Sequence, residues 1–221
     1  MNDFSLPQLA SVQELYESAR FIDAWRLTEP LWNDRQLVQR LSADELIMAG
    51  RLAGRLGSGK YYRALMRLAL ERAPDSPRVR YYARAAAGRR MSLYDLFCIM
   101  EDEAPAKFED PDLAASWYAY HATLLARYRD FGLAHDALRR AEDTGQAKSW
   151  VLSNRAWVLL LEDRFDEALA VARDAWQFTP GHPYSADALA AASAAGGRDA
   201  EFCEVMLGYF DGGGQSGQCL D

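Results

Sequence analysis

Residues 149–183 read SWVLSNRAWVLLLEDRFDEALAVARDAWQFTPGHP, and this stretch decides the fold. Trp150, Val151, Leu152, Ala156, Leu159 and Leu160 recur at helical spacing. Asp163-Arg164 interrupts the pattern. Phe165-Asp166-Glu167-Ala168 then opens a second helix, continued by Leu169, Ala172, Ala175 and Trp176. Pro180-Gly181-His182-Pro183 ends it, because proline cannot donate to the helix ladder and restricts the residue before it. The stretch is a helical hairpin.

The hairpin recurs. Ala122, Ala156 and Ala190 are spaced by 34 residues. The pairs Leu125 and Leu159, Phe131 and Phe165, Ala134 and Ala168, and Ala141 and Ala175 have the same spacing. A fixed period of this length marks stacked supersecondary units, none of which can bury its apolar face alone.

The unit starting at Ser149 resembles the tetratricopeptide repeat. That family places small residues where its two helices approach most closely, matched here by Ala156, Ala168 and Ala175. It also has an aromatic residue opening the second helix, matched by Phe165, and a proline after it, matched by Pro180. The unit starting at Ala115 fits almost as well, with Ala122, Phe131, Ala134 and Ala141, but Gln146 stands in the proline's place. The unit starting at Ala43 keeps Gly50, Gly57, Ala69 and Pro74 in frame, whereas Tyr62 occupies a small-residue position. The unit starting at Pro77 departs further, with Arg84 and Glu103 where small residues belong. Arg20-Phe21-Ile22-Asp23-Ala24 looks like an inter-helix turn of a unit starting at Ser5, and a last unit starts at Pro183 with Ala190 and Gly197 in frame.

The resemblance implies an all-α fold: a right-handed α-α superhelix, or solenoid, of about six helix-turn-helix hairpins over residues 1–210. Starts at 5, 43, 77, 115, 149 and 183 require four-residue insertions near Asn33–Ser42 and Lys107–Pro111, which belong in loops. The glycine-rich stretch 211–221 reads as a flexible tail.

Composition narrows the function. Half of the chain is apolar and 26% is charged, so a folded domain is expected. The formal charge of −7 argues against a general nucleic-acid binder. The N-terminal segment lacks a signal-peptide pattern, and no apolar run approaches membrane-spanning length. Cys98, Cys203 and Cys219 are few and widely spaced, which fits reduced thiols. A cytoplasmic location, with no membrane or nucleic-acid partner, is the expectation.

Candidate chemistry is sparse. Gly54-Arg-Leu-Gly-Ser-Gly59-Lys60 has the spacing of a phosphate-binding loop. However, the residues before it are helix-patterned rather than a strand, and Tyr61 follows where Ser or Thr would hold magnesium. His121, His135 and His182 share no helix face with other ligands at metal spacing. No catalytic residue, cofactor or metal site is expected.

The resemblance also implies a concave face lined by the first helix of each unit. Carried onto this sequence, it gives Arg51 and Arg55; Arg78, Tyr81, Tyr82 and Arg89; Tyr120, Thr123 and Arg127; and Trp150, Asn154 and Trp157. Arginine pairs with carboxylates in two-pronged fashion, and aromatic rings supply contact area at low entropic cost. The expected function is a non-catalytic scaffold binding a protein or peptide of acidic character. The alternative is an N-terminal accessory module of a larger bacterial enzyme whose catalytic part lies beyond residue 221.

Overall fold

A computed structural model describes residues 9–87, 91–101, 108–146 and 148–211. Arg89, Cys219 and residues 212–221 lie outside them. The fold is all-α, with fourteen helices among the described residues: α1 (Leu9–Glu17), α2 (Phe21–Leu27), α3 (Glu29–Asn33), α4 (Arg35–Val38), α5 (Ala43–Arg55), α6 (Gly59–Arg72), α7 (Pro77–Ala87), α8 (Leu93–Glu101), α9 (Pro111–Arg127), α10 (Phe131–Asp143), α11 (Lys148–Leu161), α12 (Phe165–Phe178), α13 (Pro183–Ala195) and α14 (Asp199–Asp211). They fall into two compact units, one ending at Ser92 and one beginning at Leu93.

Local chemistry starts and stops these helices. Ser42 and Glu45 form a reciprocal capping box on α5. The Asp110 carboxylate accepts from the Asp112 and Leu113 amides, and Pro111 sits in the first turn of α9. One turn recurs five times. A residue in the left-handed region stands two positions before α2, α6, α10, α12 and α14: Ala19, Gly57, Arg129, Asp163 and Gly197. The next amide reaches back five residues, as from Ser58 N–H to the Ala53 carbonyl (2.8 Å) and from Arg164 N–H to the Leu159 carbonyl (2.9 Å). This bond satisfies a carbonyl left open at the helix end and fixes the reversal.

In the second unit, α9 packs on α10, α11 on α12, and α13 on α14. The first helices α9, α11 and α13 also pack side by side. Ala122, Ala134, Ala141, Ala156, Ala168 and Ala175 are fully buried at these crossings. A side chain of one carbon lets two helix backbones approach to the short end of the usual interhelical distance. Helix α14 closes the last hairpin through Met206, Phe202 and Val205, and Tyr209 meets Trp176 edge-to-face at 5.3 Å.

In the first unit, α5 and α6 form the central hairpin, with α1 and α2 against α5 and α7 against α6. Here Tyr62 takes the place of a small residue. Two glycines on the facing helix make room for it. A Cβ at Gly54 would lie 3.3 Å from the Tyr62 ring. One at Gly50 would lie 3.3 Å from the same ring and 2.3 Å from the Met66 methyl. The insertion near Asn33–Ser42, expected as a loop, is instead folded. It forms α4 after α3, with Asp34 accepting from the Gln36 amide at 2.7 Å and with Leu31 and Leu41 buried. Two buried leucines anchor the segment, and the Asp34 cap turns it into a helix.

Candidate functional site: the faces of the first helices

Each unit carries its own face. In the first unit, Arg51 and Arg55 lie one turn apart on α5 and converge on Tyr16 of α1. The Arg51 guanidinium stacks over the Tyr16 ring (4.5 Å) and the Tyr82 ring (4.9 Å). Arg55 donates from Nε to the Tyr16 hydroxyl at 3.0 Å. Burial opposes ionisation of the Tyr16 phenol, but the Arg55 and Arg51 charges outweigh it and hold its pKa below the ordinary tyrosine value. Two cations are thus fixed in position by one buried aromatic ring and one half-buried ring, at small entropic cost. Arg78 lies 3.8 Å from the Asp44 carboxylate. Tyr81 points into the core, only 5% exposed, and meets Tyr82 edge-to-face at 5.1 Å.

In the second unit, Tyr120, Thr123 and Arg127 share one side of α9, and Trp150, Asn154 and Trp157 share one side of α11. Asn154 is 4% exposed. Its carbonyl oxygen accepts from the Thr123 hydroxyl at 2.8 Å, and its amide donates to the Trp150 carbonyl at 2.9 Å. It therefore ties α9 to α11 and forms the floor of this face. The Trp150 indole N–H donates to the Ser116 carbonyl (3.2 Å), and its ring meets Tyr184 of α13 at 4.3 Å. Trp157 and Tyr184 remain exposed, as does Arg127.

The structure brings Arg51, Arg55 and Tyr82 together in one unit, and Tyr120, Arg127, Asn154 and Trp157 onto one face of the other. Register alone did not reveal two participants, Tyr16 and Tyr184. Tyr184 stands 34 residues after Trp150, so carrying the period one unit further finds it.

The remaining candidates have structural surroundings. The G-x-x-x-x-G-K stretch folds as the turn between α5 and α6, with Gly54 inside one helix and Gly59-Lys60 opening the next. His121 is buried against Trp117 (4.6 Å), and desolvation holds its pKa below the ordinary histidine value against the opposing pull of Glu101. His135 lies 2.8 Å from Glu162, and the His182 ring nitrogen caps α13. Among the described residues, no group of three or more side chains could hold a metal ion, and no helix is long and apolar enough to cross a membrane.

Neither a protein-family model nor a curated protein matches this sequence. Solved structures do. A thermophilic TPR protein of Thermus thermophilus is similar at 18% identity with a TM-score of 0.60, over 77% of this chain and 91% of that one. A tetratricopeptide repeat protein of Parabacteroides merdae is similar at 9% identity with a TM-score of 0.50, over 91% of this chain and 77% of that one. At such identities the likeness is one of backbone arrangement. The chain has the tetratricopeptide-repeat fold over most of its length.

Proposed function

We propose that this protein is a non-catalytic scaffold that binds a partner protein or peptide of acidic character through the faces of its first helices. The observation that supports this most is the Arg51–Arg55 pair. A chain with formal charge −7 holds two guanidiniums side by side against Tyr16 and Tyr82, in a setting suited to carboxylates. Arginines fixed by stacking lose less freedom on binding than arginines on open surface. The fold favours the same reading, because stacked hairpins present an extended surface rather than a closed reaction pocket.

Affinity capture with the full chain tests the proposal. Arg51→Gln with Arg55→Gln removes both charges while keeping polar side chains of similar reach. Recovery of the partner is expected to fall by about tenfold, with the helical circular dichroism unchanged. The wild-type interaction should also weaken as salt is raised. Recovery that is unaffected by either change would reject the assignment.

A further inference from the structure

We propose that the first-helix face of the second unit takes an extended, proline-containing peptide that carries a carboxylate beside its apolar part. This rests on the reading of that face as a binding surface and adds the chemistry of its ligand.

Trp150 and Trp157 stand on one side of α11, two turns apart. At the α-helical rise their attachment points are about 10 Å apart. A polyproline II chain advances about 9 Å over three residues, close to the spacing of the two attachment points. One of the two rings is held in place and the other is open to solvent. Trp150 is fixed by its bond to the Ser116 carbonyl and by its contact with Tyr184, while Trp157 and Tyr184 each keep 37% of their surface exposed. Flat, rigid aromatic surface suits the flat side of a proline-rich chain, which gives up little conformational entropy on binding.

Two polar features separate an extended ligand from a helical one. Among the described residues, the Trp157 indole N–H and the Tyr120 hydroxyl have no hydrogen-bond partner. A polyproline II chain has no internal hydrogen bonds and offers its carbonyls to such donors. A helix has already paired all but its last carbonyls. Charge supplies the flank. Arg127 is exposed on the same side of α9 as Tyr120 and makes no ion pair among the described residues. It is close enough to Tyr120 to oppose the upward shift that burial gives the phenol's pKa. A ligand carboxylate placed there meets an unneutralised guanidinium.

The test uses the full chain and three labelled twelve-residue peptides, each with glutamate at both ends. One has proline at every third position, one is a Gly/Ser chain, and one is an alanine-rich helix former. The proline peptide is expected to bind about tenfold more tightly than either other probe. Trp157→Ala and Arg127→Glu should each weaken it by about tenfold, whereas Trp157→Phe, which keeps an aromatic ring and loses the indole N–H, should weaken it by about threefold. If the Gly/Ser or helical probe binds as well as the proline probe and loses affinity in both variants, the polyproline assignment is overturned and the face stands as a binding surface. If no probe binds, or if the proline probe binds equally to all variants, the proposal fails. Capture of the partner by Trp157→Ala, run in parallel, then shows whether the face itself was misassigned.

Discussion

Replacing Ala168 by leucine is expected to destabilise the protein by about 3 kcal/mol, measured as a lower midpoint in urea with the slope unchanged. Ala168 is fully buried where α12 crosses α11, among Ala156, Leu159 and Ala172. A leucine there has no space to enter. Either the helices separate, which gives up packing along the whole hairpin, or neighbouring side chains leave their preferred rotamers. Ala170, two residues along the same helix, faces solvent. Ala170→Leu should change stability by less than about 0.5 kcal/mol, because an exposed helical site tolerates either residue. The pair separates close packing from helix propensity. Equal effects at the two sites would show that the alanine period does not mark the helix crossing.

The second large effect is expected at Gly50. Valine at this position meets the Met66 methyl and the Tyr62 ring at once and should cost about 2–3 kcal/mol, even though glycine is the poorer helix former. Tyr62→Ala alone should cost about as much through the cavity it leaves. Combined, the two changes are expected to cost at least about 1 kcal/mol less than their sum, because the valine occupies space that the ring vacates. Strict additivity in denaturant unfolding would mean that Gly50 and Tyr62 do not compensate one another.

Much of the fold was legible because its determinants are local or periodic. Ala122, Ala156 and the other small residues report the closest helix approach by their spacing alone, and proline and glycine mark the reversals. The exchange between Gly50 and Tyr62 was not legible. Each residue could be placed in register, but compensation is a relation between two helices and appears only when they are packed. The insertion near Asn33–Ser42 looked like a loop because its helix has a single turn and no periodicity to display. Its order comes from Leu31 and Leu41, buried against distant residues.

The face was legible in direction but not in depth. The repeat register puts Asn154 on the same side of α11 as Trp157, yet Asn154 is used up by Thr123 and the Trp150 carbonyl, whereas Trp157 stays accessible. Three residues of α11 on one side thus differ in role according to what the neighbouring helix places over them. The repeat register named Tyr81 together with Tyr82, and packing buries the first and leaves the second half-buried. Tyr16 escaped notice because the first unit shows little of the repeat beyond its turn, and its importance comes from two arginines that are distant in sequence.

Oxidative footprinting of aromatic side chains, with and without the captured partner, shows which helices the partner covers. Trp157 and Tyr184 lie on the first-helix face, while Phe165 and Phe178 are comparably or more exposed on α12, a second helix. Partner binding is expected to protect Trp157 and Tyr184 and to leave Phe165 and Phe178 as reactive as before. Protection of Phe165 and Phe178 with Trp157 unchanged would place the partner on the second helices and rule out the first-helix face.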